Sequence, residues 1–302
     1  MTRVKAWLNA ARLRTLPLSI SGILVGTAMA AYHGVTSTGI FILAILTTIG
    51  LQVTSNFAND YGDGIKGTDG DDRLGPKRAL QSGLLTASQL KSGIYISMVI
   101  NAILIVCLII TAFGLKDIIY PTLFLLLGAF AIWAAIKYTV GKSAYGYNGL
   151  GDIFVFLFFG LVSVLGSMFL FLKAISLMTV LPAVSIGFLS VGVLNLNNMR
   201  DIKSDAAVGK NTMVVKMGLA NAKKYHYTLL IISFLCLFCF LLTTNGSQLR
   251  YVSLVGYLPV FMHLRKVAQT NNEAELDPEL KILALSTFFI ALLFFISYYY
   301  FL

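Results

Sequence analysis

The sequence predicts an all-α polytopic membrane protein with nine transmembrane helices, and three observations carry that fold class. First, 57% of the 302 residues are hydrophobic and only 12% are charged, with a mean hydropathy of +0.81. Soluble domains carry about 25% charged residues, so this chain lacks the polar surface to coat a globule in water and needs the bilayer as its solvent. Second, apolar stretches approaching the roughly 20 residues that cross a bilayer recur at 15–33, 38–58, 92–114, 118–138, 152–172, 175–197, 225–244, 250–264 and 280–301. Third, those spans place 20 of the 23 Lys and Arg residues on one side, leaving Lys116, Lys173 and Arg250 on the other. Basic residues accumulate on the cytoplasmic side. The expected placement is therefore multi-pass in the cell inner (plasma) membrane, with the N-terminus cytoplasmic and the C-terminus external. That asymmetry accounts for the net charge of +10 without a nucleic-acid partner.

Taken in order, the opening MTRVKAWLNAARLRTLPLSI is basic and amphipathic. The apolar run after it is too long for a signal peptide and offers no A-x-A-like cleavage site, so it reads as a retained interfacial segment entering the first span. The eighth span is short and carries Pro259. Cys107, Cys236 and Cys239 lie in apolar runs and read as packing residues. His33, His226 and His263 sit near predicted helix ends and are assigned no chemistry.

Twelve of the 13 acidic residues share the side of the basic ones, although acids contribute little to topology. The second span ends LQVTSNFANDYGDGIKGTDGDDRLGPKR and the sixth VGVLNLNNMRDIKSDAAVGKNTMVVKMG. A shift of 141 residues lays Asn56 on Asn197 and Asp60 on Asp201, with a second acid (Asp63, Asp205) following each. The repeat divides one domain, 1–302, into two pseudo-repeated halves of about 1–150 and 151–302. Spacings of three and four put side chains on one helical face, which predicts a stripe Asn56, Asp60, Asp63 and another Asn197, Asp201, Asp205. Clustered carboxylates at a membrane edge are costly unless cations pair with them. Such oxygen ligands suit Mg²⁺, which takes one or two carboxylates and bridges to phosphates, while Arg73, Lys77, Arg78 and Lys210 stand near enough in sequence to neutralise phosphate oxygens. Asp71, Asp72, Glu273, Glu275, Asp277 and Glu279 read instead as solvated loop residues. The stretch 60–91 reads as a polar, glycine-rich lid.

NDYGD at 59–63 and RDIKSD at 200–205 resemble the two acidic motifs of the UbiA superfamily of intramembrane prenyltransferases, and Tyr138 with Lys142 resembles its YxxxK element. The third acid of the first motif departs from the family spacing, so Asp69 or Asp72 would take that role. NDYGDGIKGTDGDDRLGPKRALQSG, YGYNGLGDIFVFLFFGLVSVLGS, NNMRDIKSDAAVGKNTMVVKMG and Arg14 in RTLPLSI look like the branch that prenylates 1,4-dihydroxy-2-naphthoate. The resemblance implies nine helices around a central cavity. It also implies Mg²⁺ held by Asp60, Asp63, Asp69, Asp201 and Asp205, and transfer of a polyprenyl chain from polyprenyl diphosphate to the naphthoate with loss of CO₂, giving demethylmenaquinol. In that scheme Asn56, Asn59 and Asn198 orient carboxylates or diphosphate. Tyr138, Lys142 and Asp152 would hold the acceptor or help deprotonate it, although Lys142 also reads as a topology anchor and Asp152 as an N-cap. Arg14 either binds substrate or snorkels. FVFLFFG at 154–160 either walls an allylic cation or faces lipid. A different aromatic acceptor, 4-hydroxybenzoate or homogentisate, keeps the same chemistry, and a cation-coupled transporter is the reading from another class.

Overall fold

The computed structural model describes residues 3–68, 74–75, 77–115, 117–245, 247–270 and 272–300. Among them the chain is helical throughout, without strands. The short helix α1 (Arg3–Ala11) turns at Arg12, whose φ of 49° is left-handed, and passes through a 3₁₀ turn into α2 (Leu16–Tyr32). Helix α3 (Thr38–Lys66) starts where the Ser37 hydroxyl accepts the Ile40 N–H and stops at Gly67, φ 71°, a left-handed cap that glycine adopts without a Cβ penalty. Helix α4 (Ala87–Phe113) opens on a capping box of Thr86 and Gln89. Helices α5 (Ile119–Lys137), α6 (Gly151–Leu172), α7 (Val180–Arg200), α8 (Ile202–Ala207), α9 (Met213–Thr243), α10 (Tyr257–Gln269) and α11 (Asp277–Tyr300) complete the chain.

Eight helical runs among the described residues are long and apolar enough to cross a membrane. The eighth expected span, 250–264, is built differently. It divides into a 3₁₀ run, Gln248–Gly256, and the 13-residue α10, and it carries Arg250 and His263 with Arg265 and Lys266 just past its end, so it is shorter and more polar than the others. Its Tyr257, Val260, His263 and Val267 are buried while Leu258, Phe261 and Met262 are exposed, so it is a two-faced helix. The expected span at 225–244 likewise belongs to a longer helix. It begins at Met213, and a non-helical Gly218 (φ 75°) kinks it.

The packing places the acids. Helix α7 lies against α6, α9 and α11, and α2 against α11 and α6. Close approach depends on small residues. A Cβ on Gly160 would stand 2.6 Å from the Gly187 Cα, and one on Gly22 would stand 1.8 Å from the Ser163 Oγ. Between residues 156 and 166, α6 is wound as a π-helix, a form usually confined to single turns.

The lid expected at 60–91 is shorter than its sequence suggested, because α3 runs on to Lys66 and α4 resumes at Ala87. Asp60 and Asp63 therefore sit on the last turns of a helix. The second stripe is broken: α7 ends at Arg200, Asp201 (φ −95°, ψ 11°) leaves the helical track, and Asp205 lies on α8. Asn197, Asp201 and Asp205 thus do not share one helix face. Asp69, Asp71, Asp72 and Arg73 lie outside the described residues.

Candidate active site

A cavity of about 1050 Å³ runs among helices α1 to α7 and α11. At one end it is lined by Arg12, Arg14, Asn59, Asp60, Asp63, Lys77, Arg78, Asn197, Arg200, Lys210, Asp277 and Lys281. Toward the other end its walls turn apolar, with Ile23, Ala44, Ile105, Leu108, Phe124, Phe158, Phe159 and Leu170. Buried Ala30, Ile40 and Phe171 pack behind that end. Such a cavity suits an amphiphile with a charged head and a long apolar tail.

In the first motif, the Asp60 carboxylate is 1% exposed and accepts the backbone N–H groups of Ala79 (3.1 Å) and Leu80 (3.2 Å). The segment around Ala79 and Leu80 is thus folded back onto α3. Asp63 accepts Arg78 Nη1 at 2.5 Å and the Tyr147 hydroxyl at 2.7 Å. Arg78 also donates to the Asn59 carbonyl (2.9 Å), and Asn59 Oδ1 accepts the Thr139 hydroxyl (3.2 Å).

In the second motif, Arg200 grips Asp201 with two donors, Nε to Oδ1 at 2.8 Å and Nη2 to Oδ2 at 2.6 Å. Its remaining donors reach Asn197 Oδ1 (2.9 Å) and Asp277 Oδ1 (2.6 Å). Asp205 pairs with Lys210 at 3.1 Å. Burial pushes the Asp205 carboxyl above the usual range, opposed by Lys210 and reinforced by the Asp201 and Asp63 charges. The Lys210 charge acts on Asp63 as well, so the two motifs share one electrostatic neighbourhood.

The other expected residues divide. Arg14 and Lys77 line the cavity and are exposed. Tyr138 lines it too, and burial with the Tyr145, Asp152, Asp63 and Asp205 charges keeps its phenol protonated. Lys142 is exposed and is not among the described lining residues. Asn56 is a tether: its Nδ2 donates to the Ala11 carbonyl (2.8 Å) and to Thr15 Oγ1 (3.1 Å), so it holds α1 and α2 in place instead of reaching into the cavity. Asn198 is buried with Oδ1 unpartnered. Asp152 is not an N-cap. Leu150 holds that position, and the Asp152 carboxylate accepts the Tyr225 hydroxyl away from the cavity lining. In FVFLFFG, Phe154, Phe158 and Phe159 line the cavity, whereas Phe156 meets Phe188 at 5.0 Å.

Several site residues went unassigned in the sequence. Arg200 and Lys281 looked like topology charges, yet both line the cavity. Asp277 looked solvated but takes a donor of Arg200. Glu279 is 2% exposed and accepts from His263 Nδ1 at 2.7 Å, while His263 Nε2 meets His226 Nε2 at 2.9 Å. The N-M-R-D run at 198–201 was the one available signal for its role. Nothing local signalled the Glu279–His263–His226 chain, which joins three helices.

The donor set fits a hard divalent cation. Asp205 Oδ2 and Asn198 Oδ1 are buried oxygens without partners. Among the described residues no cage of three acidic, His or Cys ligands is preassembled, and a magnesium ion that completes its shell with water and phosphate oxygens does not require one.

An all-helical bundle around a deep cavity, with Asp60 and Asp63 at its polar mouth and Asp201 and Asp205 paired to the Arg200 and Lys210 that line it, has the architecture of an intramembrane transferase for lipid-tailed substrates. The chain belongs to the UbiA prenyltransferase family, whose model matches residues 19–293. It is 41% identical over 282 residues, 93% of this chain and 91% of the relative, to the 1,4-dihydroxy-2-naphthoate octaprenyltransferase of Escherichia coli. It is 39% identical to the protein of the same name from Haemophilus influenzae, across 97% of this chain and 95% of the relative. Among solved structures, a UbiA homologue from Archaeoglobus fulgidus bound to DMAPP and Mg²⁺ superposes with a TM-score of 0.67. It has 14% identity and covers 95% of this chain and 98% of that one. A homologue from Aeropyrum pernix, without ligand, superposes at 0.66 with 16% identity. These two likenesses concern the fold.

Proposed function

We infer that this chain transfers a polyprenyl group from polyprenyl diphosphate to 1,4-dihydroxy-2-naphthoate with loss of CO₂, forming demethylmenaquinol. The observation that carries the reading is a polar cavity mouth lined by Asp60 and Asp63 of the first motif and by Arg200 and Lys210, which pair with Asp201 and Asp205 set behind the lining, in a cavity whose walls then turn apolar. The 41% identity to a relative named for this reaction supports the choice of acceptor.

In this mechanism Asp60, Asp63, Asp201 and Asp205, with Asp69 from the loop, would hold Mg²⁺, whose positive charge when bound offsets the charge building on the leaving diphosphate. Lys77, Arg78, Arg200 and Lys210 at the mouth supply donors to the diphosphate oxygens. The C–O bond of the donor breaks with its electron pair leaving on the diphosphate, and the prenyl carbon becomes an allylic cation. The carboxylated ring carbon of the naphthoate bonds to that cation. The carboxylate then departs as CO₂, its bonding pair restoring the aromatic ring. Phe154, Phe158 and Phe159 present aromatic faces that favour a cation and exclude the water that would quench it. Tyr138, a protonated phenol at the same wall, can donate to an acceptor oxygen. The basic asymmetry of the sequence supports a cytoplasmic mouth in the inner (plasma) membrane, with the polar head entering from that side and the tail lying in the bilayer.

The test is transfer of a labelled polyprenyl chain by the purified protein, offered 1,4-dihydroxy-2-naphthoate, 4-hydroxybenzoate or homogentisate, with Mg²⁺ or a chelator. Product with the naphthoate and Mg²⁺ is expected. Turnover of another acceptor in its place would reassign the branch, and no prenyl transfer to any of them would overturn the reading.

A further inference from the structure

The turn between α5 and α6 stands between the two motifs and is bonded to the first and to the segment that follows the second. Its residues Tyr145–Asn148 form a 3₁₀ turn closed by Gly149, φ 80°. The Tyr147 carbonyl accepts the Asn211 N–H at 3.0 Å, and the Asn148 carbonyl accepts Lys216 Nζ at 2.8 Å. Both donors belong to the segment that follows the second motif. Gly149 makes this docking possible, since a Cβ there would stand 3.1 Å from the Asn211 oxygen and 2.9 Å from Lys216 Nζ. From the same turn the Tyr147 side chain points the other way. Its hydroxyl donates to Asp63 Oδ1 at 2.7 Å and lies 2.5 Å from Thr68 Oγ1, so both groups belong to the first motif. Its ring has Lys66 Nζ 3.7 Å from the centroid and Lys210 Nζ at 5.7 Å, one lysine from each half.

We propose that Tyr147 is a positioning residue for the donor diphosphate, fixing the Asp63 carboxylate and setting the first acidic motif in register with Lys210 and Asp205 of the second. The proposal rests on the prenyl-transfer reading. Tyr147 is not among the residues lining the cavity, so it acts through Asp63 and the two lysines. A carboxylate that accepts a guanidinium on one oxygen and a phenol on the other has one orientation available. With the phenol removed, the charged Asp63 carboxylate loses the donor at its Oδ1, and loss of a hydrogen bond to a charged group corresponds to roughly ten- to a hundredfold in an equilibrium constant. The aromatic face also spreads the charge of two lysines over one ring and keeps both near the carboxylates.

The experiment measures equilibrium binding of a non-reactive prenyl thiodiphosphate in the presence of Mg²⁺ to the purified full chain in detergent, alongside steady-state kinetics. Tyr147→Phe keeps the ring and removes the hydroxyl. It is expected to weaken analogue binding about tenfold and to leave the acceptor KM unchanged. Tyr147→Leu, which removes the ring as well, is expected to weaken binding further. Thr68→Val, which keeps the side-chain volume and perturbs the tyrosine from its other side, serves if the Tyr147 variants misfold, with a smaller loss in the same direction expected. Wild-type analogue affinity in Tyr147→Phe, or in Thr68→Val where that variant stands in, overturns the proposal. So does an equal rise in donor and acceptor constants, which marks a general structural defect. A wild-type protein that binds the analogue with the expected Tyr147 dependence, yet transfers nothing to the naphthoate, overturns the functional reading and leaves the positioning role standing.

Discussion

Asp60→Asn separates two roles that one carboxylate holds. The side chain is 1% exposed and takes the Ala79 and Leu80 amides on its two oxygens, at 3.1 and 3.2 Å. Asparagine offers one acceptor, and its amide nitrogen would face the other N–H. One charge-assisted hydrogen bond is therefore lost outright, about 1.5–3 kcal/mol. Taken as about 2 kcal/mol, that is roughly a 30-fold change in the opening equilibrium of the segment. The assay is amide hydrogen exchange in detergent. Protection at Ala79 and Leu80 is expected to fall about 30-fold, with α7 amides unchanged. Prenyl transfer is expected to fall further still, because the carboxylate charge at the mouth is lost as well. Unchanged protection at both amides would refute the reasoning, since it would mean that the carboxylate does not hold this segment down.

Four further outcomes follow from the same contacts. Arg200→Met leaves the buried Asp201 carboxylate without its partner, which costs roughly 3–5 kcal/mol. The Tm in chelator should drop, and Mg²⁺ should recover more of that loss than it adds to wild type. Asn56→Ala removes bonds to Ala11 and Thr15, about 2 kcal/mol together, and proteolysis should then release residues 3–11 first. Gly22→Leu drives a side chain into Ser163 and the Phe159 carbonyl. Overpacking of about 1–3 kcal/mol should lower Tm and narrow the cavity, measured as weaker binding of a long-chain analogue. Chelation should abolish transfer reversibly while the helical circular dichroism stays the same, because Asp60, Asp63, Asp201 and Asp205 all have protein partners already.

The sequence made the helices legible because apolar length and charge asymmetry are properties of the chain read in order. The same holds for Asp60 and Asp63, one turn apart on a helix that does continue through them. The second motif was less legible, because the break at Asp201 depends on how α7 ends against its neighbours and not on residue spacing. Asn56 and Asn197 match across 141 residues and yet differ in use: one ties α1 to α3, the other lines the cavity and supports Arg200. The eighth stretch is less plainly written in the sequence for another reason: its buried His263 and Val267 face protein while Phe261 and Met262 face outward, and hydropathy averages over both faces. Tyr147 carried no signal of its own. Its importance lies in what Asn211 and Asp63, 64 and 84 residues away in sequence, place on either side of it.

The pairing pattern explains how so many acids persist at a membrane edge. Asp63 is held by Arg78, Asp201 by Arg200 and Asp205 by Lys210, while Asp60 takes backbone amides. A buried carboxylate with neither partner nor water would shift to its neutral form or unfold the segment that carries it. Each basic partner also lines the cavity, so the groups that stabilise the acids are the same groups available to a diphosphate. On the prenyl-transfer reading, an anionic head entering with its own cation would keep the local charge near balance, the carboxylates being available to the cation and the guanidinium and ammonium groups to the phosphate oxygens. The three cations come from separate parts of the chain. Arg78 comes from the α3–α4 loop, Lys210 follows α8, and Arg200 is braced by Asp277 of α11, so the site forms only once the whole bundle has assembled.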